Sequence, residues 1–456
     1  MADSDARVVR RDLPGGRPDF LKAHAAYPDR LPFLLESASH GTAIGRYDVL
    51  MLADADALLL DGAGHLHGVG AEAGSFLQAL DAWHARERVA PQTDGLPFAG
   101  GWFLYFGYEF ASDVEPRLRL PAGPAPRAYA RRVRTAAVWD HATAQLSLVH
   151  ERGADEDAQW LASVLEPMAG PTPLAALPAL SITEDDPEHY RQAVRRARDY
   201  IAAGDIYQAN LAREWRVALP PTVTPEQLYA HLRQANPGPF AALARLPGTT
   251  VLSTSPERLV ASRGGRVESR PIAGTRARRG DDEAVIRELM ENVKERAEHV
   301  MLVDLERNDL GRISVGGSVR VDEYMVVESY AHVHHIVSNV VGELRPGTTP
   351  GEIVRALFPG GTITGCPKVR CMELIAELEG RPRGAYTGSL GYLGCDGRMD
   401  LNILIRTAMV SDRDGARELS ILAGAGIVAD SDPQRELDET RAKARGLLRA
   451  LGALEA

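Results

Sequence analysis

The chain has 456 residues, of which 45% are hydrophobic and 25% are charged, and its formal net charge is -10 at pH 7. This composition is typical of a globular protein with a large core, in one domain or in two closely packed ones. The acidic balance argues against a general nucleic-acid binder, because such proteins neutralise phosphates with basic side chains. We find neither the apolar core of a signal peptide nor a run long enough to span a bilayer, so we expect a cytoplasmic protein without a nucleic-acid or membrane partner.

The first 170 residues alternate short apolar runs with turns. The runs at 49–53, 57–60 and 101–108 predict strands, and the spacing over 76–88 predicts a helix. A stretch rich in proline and alanine at 166–178 predicts a connection between two parts of the chain. We therefore divide the chain into a mixed α and β region, 1–170, and a second region, 186–452.

The second region alternates long helices with strands. A helix is predicted over 187–203, ending at Gly204, where a left-handed cap is easy. Strands are predicted at 206–211, 251–254 and 267–270, and the last two end in turns that carry polar side chains, among them Glu257. Because the strands lack the regular spacing of a parallel sheet, the pattern favours an α+β fold with antiparallel sheets.

Two pairs of glutamates recur at helical spacing. A helix predicted from 286 to 310 carries Glu295 and Glu298 on one face, and Glu436 and Glu439 repeat this spacing near the C-terminus, with Lys443 one turn further on. Each pair alone is typical of a solvated helix surface, and Lys443 alone is typical of a salt bridge to Glu439. Together the pairs favour two helices that face one hard cation, most of all Mg²⁺, which takes few carboxylates and leaves room for substrate oxygens.

Two glycine-rich segments predict places where the backbone meets a small anion. The loop 358–368 opens a predicted helix through Glu379, and its free N–H groups with the helix dipole favour a carboxylate or phosphate, although a simple turn at the helix start is the alternative. The segment Gly424-Ala425-Gly426 follows a predicted strand with the spacing GxGxxA. We reject a dinucleotide site there, because too little chain follows for the rest of that unit.

Three further positions combine an apolar surrounding with a polar side chain. The stretch 330–337 alternates like a strand, which puts His332 and His334 on one face and His335 on the other, and we expect one histidine to carry a proton or to bind an oxygen. Arg406 lies in a predicted apolar strand, where it needs a carboxylate from the substrate or from a structural salt bridge. For Glu257 the alternative is an ordinary surface turn. The residues thus indicate a Mg²⁺-dependent enzyme for a small carboxylated substrate.

From about residue 186 to 448 the motifs resemble the chorismate-utilising enzymes, a family that includes anthranilate synthase component I, aminodeoxychorismate synthase component I, and isochorismate and salicylate synthases. The motifs are GDIYQ, SPE, PIAGT, AEHVMLVDLERNDLGR, HVHHIVS, FPGGTITGCPKVR, MDLNILIRT and GAGIVADS. The resemblance implies an α+β fold of the anthranilate synthase component I kind. In this fold two large antiparallel β-sheets pack as a sandwich flanked by helices.

The resemblance also implies three sets of site residues and a magnesium cofactor. The direct Mg²⁺ ligands would be Glu298 and Glu439, with Glu295 and Glu436 supporting them. The groups that hold chorismate would be Ala273, Gly274, Thr275, Tyr386, Arg406, Gly424, Ala425, Gly426 and Lys443. The catalytic group would be Glu257 as proton donor to the departing hydroxyl, with His335 and Thr362 lining the ring.

Within the family, several motifs are similar to the aminodeoxychorismate synthase branch, but Ala273 departs from it. That branch carries a lysine at this position, whose amine adds to chorismate C2 before ammonia displaces it at C4, whereas alanine is typical of anthranilate synthases. We expect amination of chorismate to 4-amino-4-deoxychorismate for p-aminobenzoate and folate synthesis, with ammonia or water adding at C2 instead. The alternatives are an anthranilate synthase, which also releases pyruvate, and an inactive homologue that senses tryptophan or chorismate. An isochorismate synthase is disfavoured because Gln208 stands where that branch carries a lysine base.

Two partners are implied. The chain lacks the GxCxG nucleophile elbow of a glutaminase, so ammonia is expected from solution or from a separate glutamine amidotransferase subunit. The stretch 34–37 resembles a segment of feedback-inhibited relatives, in which the N-terminal part carries a tryptophan pocket. Ser37 is therefore a candidate tryptophan-binding residue.

Overall fold

The computed structural model describes residues 7–38, 44–90, 95–168, 170, 174–278, 280–330, 333–413 and 415–452. The strands of the N-terminal third are β1 (Val8–Leu13), β2 (Phe33–Glu36), β3 (Tyr47–Leu52), β4 (Ala57–Leu60), β5 (Leu66–Gly68), β6 (Gly101–Phe106), β7 (Ala128–Val133), β8 (Thr135–Asp140) and β9 (Gln145–Glu151). The later strands are β10 (Ile182–Glu184), β11 (Gln208–Ala218), β12 (Phe240–Leu246), β13 (Thr249–Ser255), β14 (Arg258–Arg263), β15 (Arg266–Arg270), β16 (Ile272–Ala277), β17 (Arg320–Ser329), β18 (Val333–Glu343), β19 (Gly365–Cys366), β20 (Ser389–Gly394), β21 (Met399–Asn402), β22 (Thr407–Arg413) and β23 (Ala416–Ile427). The helices are α1 (Phe20–Ala26), α2 (Phe76–Glu87), α3 (Ala111–Val114), α4 (Asp155–Leu165), α5 (Pro187–Ala202), α6 (Pro225–Ala235), α7 (Asp282–Glu291), α8 (Val293–Gly311), α9 (Pro350–Leu357), α10 (Lys368–Glu379) and α11 (Pro433–Ala450).

The described strands form two large sheets. The first sheet has the order β1-β9-β8-β3-β2-β12-β13-β22-β23-β11-β10, with β19 paired to β11. The second sheet has the order β16-β18-β15-β14-β21-β20-β6-β7-β4-β5, with β17 paired to β18. All of these strand pairings are antiparallel. The predicted α+β fold with antiparallel sheets is confirmed.

Strand β6 shows how the two sheets and the helices pack. Its odd-numbered side chains point to the first sheet, where Phe103 stacks on Phe33 of β2 with ring centroids 3.9 Å apart. Its even-numbered side chains, Trp102 among them, point to the opposite face and pack against α2, for example on Trp83. Since strand side chains alternate between faces, an unbroken apolar run such as 101–106 suits a strand buried on both sides. The sheets therefore form a sandwich with helices on its outer faces, as predicted.

The regions 1–170 and 186–452 share both sheets. Strand β2 pairs with β12 in the first sheet, and β6 pairs with β20 in the second. The connection between the two regions lies between α4 and β10. In the part of the chain that the structure describes, we find no helix both long and apolar enough to cross a membrane.

Most predicted elements are present, but two differ. The helix over 187–203 corresponds to α5 and the strand at 57–60 to β4. The single helix predicted from 286 to 310 is wrong, because Asn292 interrupts it: the Asn292 side chain accepts a hydrogen bond from the Glu295 N–H at 3.1 Å and so caps α8. The prediction that Arg406 lies in a strand is also wrong, since this residue falls between β21 and β22 with φ 52°.

Candidate active site

Glu257 lies just after β13 and is buried, with 5% of its surface exposed. Its carboxyl group accepts a hydrogen bond from the Thr362 hydroxyl at 2.7 Å and another from the Ile272 N–H. Burial raises the pKa of Glu257 to about 7; the negative charge of Glu306 adds to this, while Thr362 and the positive charge of Arg406 oppose it. The alternative of a surface turn is wrong. A carboxyl group with this pKa is partly protonated at neutral pH and can donate a proton.

His335 and His334 lie on opposite faces of β18, as the alternation predicts. His335 is buried and hydrogen-bonds the backbone of Gly274. Burial, helped by the positive charge of Arg406, lowers the pKa of His335 to about 3, so the imidazole is neutral at physiological pH. His334 lies 3.2 Å from the Asp282 carboxylate and 2.8 Å from the Ser329 hydroxyl, which is a structural environment. His332 lies outside the described residues.

Arg406 carries a positive charge beside Glu257. Its φ of 52° is in the left-handed region, which is costly for a residue with a side chain, and its carbonyl oxygen is held there by the N–H and hydroxyl groups of Thr254 at 3.1 and 3.2 Å. The residue is partly exposed. Among the residues that the structure describes, no carboxylate forms an ion pair with its guanidinium group. That group can therefore bind a carboxylate of a small ligand.

Strand β16 passes between Glu257 and His335. Its Ile272 N–H donates to Glu257, and its Gly274 backbone meets His335. Ala273 lies between these two positions and is buried, with 6% exposed. The backbone of Thr275 pairs with that of His335, but the Thr275 side chain is outside what the structure describes. The predicted PIAGT segment thus lies against both groups.

The glycines of the GAGIVA segment lie inside β23 rather than after a strand, which corrects the prediction. A Cβ atom on Gly424 would lie 2.7 Å from the Leu211 carbonyl oxygen and 2.8 Å from the Tyr386 hydroxyl, so only glycine permits this approach. Tyr386 itself is buried, and its hydroxyl lies near the Asn210 side chain, which opposes the rise that burial causes in its pKa. Ala425 points its side chain into the apolar core and leaves only its backbone for a ligand.

Glu298 on α8 and Lys443 on α11 both approach strand β23, Glu298 near Gly426 and Lys443 at Gly424. Glu298 accepts a hydrogen bond from the Gln208 side chain at 3.1 Å. Lys443 is 2.8 Å from the Glu439 carboxylate and donates to the Gly424 carbonyl oxygen at 3.0 Å. Both Glu439 and Glu298 raise the pKa of this ammonium group, against the effect of its desolvation. The salt bridge expected as the alternative for Lys443 is present, and the same side chain also contacts β23.

Glu295 and Glu436, which are expected to support the metal ligands, have other neighbours in the structure. Glu295 accepts from the Arg276 guanidinium at 3.0 Å, and its other carboxylate oxygen lies 3.0 Å from where a Cβ of Gly274 would be. Glu436 is buried beside Tyr190, with 8% exposed. Glu295 therefore lies one turn before Glu298 on α8, and Glu436 lies one turn before Glu439 on α11.

The donor atoms of these residues suit a magnesium ion, but the side chains do not form a complete coordination site by themselves. In the described parts of the chain, no three acidic, histidine or cysteine side chains converge closely enough to hold a metal ion alone. Glu439 nevertheless pairs with Lys443, which reaches the Gly424 carbonyl oxygen, and Glu298 lies near Gly426 of the same strand, so the two carboxylates approach neighbouring positions of β23. Mg²⁺ takes one or two protein carboxylates and fills its other positions with water and ligand oxygens, which matches this donor set.

The sequence singled out Gln208 only as the residue that replaces a lysine base, and its contact with Glu298 was not predicted. Gln208 and Asn210 lie two residues apart in β11, so their side chains are on the same face of the strand. This face is directed towards Glu298 and Tyr386. Two polar side chains two residues apart in an otherwise apolar strand are the signal that would have found them. The cluster therefore extends from Thr362 and Glu257 through His335 and Arg406 to both glutamate helices.

A separate cavity of about 90 Å³ lies between the two sheets and contains Ser37. Ser37 is buried, and its hydroxyl donates to the carbonyl oxygens of Tyr47 and Pro239 at 3.0 and 3.3 Å. Phe240 and Tyr392 supply aromatic walls. The cavity can hold a small, largely apolar ligand with a polar end.

Comparison with known proteins places the chain in one family. The chain matches the family described as chorismate binding enzyme over residues 32–449. Aminodeoxychorismate synthase component 1 of Bacillus subtilis is 43% identical over 353 residues, which are 73% of this chain and 74% of that protein. Anthranilate synthase component 1 of Streptomyces coelicolor is 39% identical over 415 residues, or 84% of this chain and 77% of that protein.

A solved structure agrees with the sequence comparison. The crystal structure of anthranilate synthase component I from Streptococcus pneumoniae TIGR4 superposes with a TM-score of 0.78 at 32% identity, covering 90% of this chain and 93% of that one. The resemblance noted from the motifs is thereby confirmed. This chain belongs to the chorismate binding enzyme family.

Proposed function

We propose that this chain is component I of an aminodeoxychorismate synthase, which converts chorismate and ammonia to 4-amino-4-deoxychorismate and water. The observation that carries the reaction type is Glu257, a buried carboxyl group with a pKa of about 7 beside the charge of Arg406. Hydroxide is a poor leaving group, so its departure needs a proton from such a donor. The similarity to the Bacillus subtilis aminodeoxychorismate synthase, together with the branch-specific motifs, supports this product.

The described residues divide the work as follows. Arg406, Tyr386 and Lys443 bind the two carboxylates of chorismate and orient the ring. Glu257 gives its proton to the C4 hydroxyl, which leaves as water, while Thr362 fixes the donating carboxyl group. The four glutamates on α8 and α11 would hold the magnesium ion, which supplies a positive charge for one substrate carboxylate.

Ala273 limits how ammonia can be added to chorismate. A methyl group cannot add to C2, so ammonia or water adds at C2 in place of the lysine amine found in the branch, and ammonia takes the C4 position as the added group leaves. Ala273 also favours a second candidate, anthranilate synthase, in which the same site would eliminate pyruvate. The anthranilate synthase relatives are nearly as similar to this chain.

Product identification tests the proposal. The purified chain is incubated with chorismate, Mg²⁺ and ammonium, with and without aminodeoxychorismate lyase, and the products are identified by mass spectrometry. We expect p-aminobenzoate only when the lyase is present. Anthranilate with pyruvate, independent of the lyase, would replace the proposal by the second candidate. A lack of any product, equal to that of a Glu257→Gln control, would favour the inactive sensing homologue.

The nitrogen donor is proposed to be a separate glutamine amidotransferase subunit. Support comes from the lack of a glutaminase elbow in the sequence and from the need for unprotonated ammonia. Mixing the chain with candidate amidotransferases and glutamine should give glutamine-dependent product formation. If ammonium supports turnover but every amidotransferase fails to confer glutamine use, this part of the proposal is rejected.

The cavity at Ser37 is proposed to bind tryptophan. A ligand that binds only the folded state raises Tm, so we expect tryptophan, but not alanine, to raise the Tm of the protein. Ser37→Phe should fill the cavity and abolish the shift, whereas Ser163→Ala, on the exposed side of α4, should keep it. An equal shift in the Ser37→Phe variant would move the tryptophan site elsewhere.

A further inference from the structure

A second carboxyl group, that of Glu306, is buried next to Glu257 and has no part in the reaction as described. Glu306 lies on the inner face of α8 with 3% of its surface exposed. Its carboxyl group accepts a hydrogen bond from the Ser269 hydroxyl at 2.7 Å and another from the Gly361 N–H. Burying such a group costs free energy unless hydrogen bonds or an opposite charge compensate for the lost water.

Two consecutive residues of the 358–368 loop contact the two carboxyl groups. Gly361 donates its N–H to Glu306, and Thr362 donates its hydroxyl to Glu257 at 2.7 Å. The loop is tightly packed on α8 at this point, because a Cβ on Gly361 would lie 2.2 Å from the Leu305 side chain. A shift of Gly361 therefore moves the hydroxyl group that orients Glu257.

The charges around the two carboxyl groups differ. The Glu257 carboxyl group is affected by the positive charge of Arg406, which lowers its pKa, and by Glu306, which raises it. Glu306 faces Asp309 and Lys368, which form an ion pair with each other. Burial, with the negative charge of Asp309, raises the pKa of Glu306 to about 7, so Glu306 becomes negative only around and above neutral pH. Since like charges disfavour each other's ionisation, this charge then makes it harder for Glu257 to lose its proton.

We propose that Glu306 is a positioning residue for Glu257: it anchors Gly361, and with it the Thr362 hydroxyl, and the negative charge that it carries once ionised opposes the loss of the Glu257 proton. The consequence for the reaction rests on the proposed function, since it assumes that Glu257 is the proton donor. The consequence for the ionisation of Glu257 does not depend on the reaction. The two consequences can therefore be tested separately.

Glu306→Gln separates the charge from the anchor. A glutamine keeps an oxygen that accepts from Gly361 and an amide that donates to Ser269, but it carries no charge. In the variant Glu257 should ionise more easily, so the pH above which kcat/KM declines should fall by roughly one unit. At pH 6 the rate should stay within about threefold of the wild type, and at pH 8 it should be about tenfold lower.

Glu306→Ala also removes the anchor and should lower kcat at every pH. Glu109→Gln is the matched control, because Glu109 is another buried glutamate with a pKa near 7, but it binds the N–H groups of Arg383 and Gly384. Its pH profile should decline at the wild-type position. A Glu306→Gln profile that is lowered equally at all pH values, with an unmoved decline, would overturn the proposal and leave Glu306 a structural residue.

A measurement without substrate distinguishes failure of this proposal from failure of the proposed function. With ¹³C-labelled glutamate, the Glu257 carboxyl signal is assigned by its loss in Glu257→Gln and is titrated in the wild type and in Glu306→Gln. A downward shift of its midpoint supports the role of Glu306 even if the chain makes no aminated product. An unchanged midpoint rejects that role even if the chain makes the aminated product.

Discussion

Replacing Glu257 with glutamine should lower kcat by about 10² to 10⁴-fold while changing the affinity for chorismate only a few-fold. The amide keeps an oxygen that accepts from Thr362 and Ile272, so the site should stay in place. It has no acidic proton to give to the departing hydroxyl. Single-turnover rates give the loss in the chemical step, and direct binding of chorismate gives the affinity.

The pH dependence of the wild type follows from the same group. The reaction uses the protonated form, and the pKa of Glu257 is raised to about 7, so kcat/KM should decline as the pH rises through about 7. The free energy of unfolding changes in the same direction. The pKa of Glu257 is 4.5 in the unfolded chain and about 7 in the folded protein, so between these pH values the folded state binds more protons than the unfolded state. The contribution of Glu257 to stability is therefore lost as the pH rises through this range. Glu257→Gln should remove this dependence and should not lower Tm at pH 8.

Two results would contradict this role. One is a Glu257→Gln variant with a nearly normal kcat, which would assign the proton to another donor. The other is a variant that loses chorismate binding and cooperative unfolding along with its activity, because the loss of activity would then result from a damaged fold. Thr362→Val is a useful companion, since it removes only the hydroxyl that orients the carboxyl group and should cost less than Glu257→Gln.

The alternation and helical spacing of the sequence predict many local elements of this fold but not their neighbours. The run 101–106 shows a strand buried on both faces, yet nothing in it shows that β6 lies between β7 and β20, which is nearly 300 residues away along the chain. Likewise, the break at Asn292 depends on one side chain folding back to cap α8. A continuous apolar pattern hides such a break, because asparagine is tolerated on an exposed helix surface.

In the candidate site, too, the sequence predicts local features but not which residues meet in space. Glutamate spacing predicts both pairs, Glu295 with Glu298 and Glu436 with Glu439, and the motif resemblance adds their expected roles at a metal ion. Neither shows that Arg406 lies in a turn with a left-handed backbone, or that Glu306 is buried behind Glu257. A glutamate in a charged stretch such as 304–309 is more often solvated. The packing of the 358–368 loop and of Ser269 in β15 against α8 makes it an internal group.

Replacing Glu298 with glutamine should abolish measurable turnover, with a loss on the order of 10³-fold or more, because the amide is a weak ligand for a hard cation and several kcal/mol of charge stabilisation depend on the metal. The amide still reaches the Gln208 side chain, so the local packing should be kept. The proposed magnesium site is measured by titrating Mg²⁺ against activity and, separately, against chorismate binding by calorimetry.

Graded variants distinguish a metal ligand from a merely charged surface. Glu295→Gln, whose carboxylate is shared with Arg276, should weaken the Mg²⁺ dependence by about 10 to 100-fold rather than abolish turnover. Glu156→Gln, on the exposed first turn of α4, should match the wild type. If Glu298→Gln loses activity but keeps the wild-type Mg²⁺ dependence of chorismate binding, then Glu298 acts through Lys443 and β23 rather than on a metal ion, and the cation must be sought among the other glutamates.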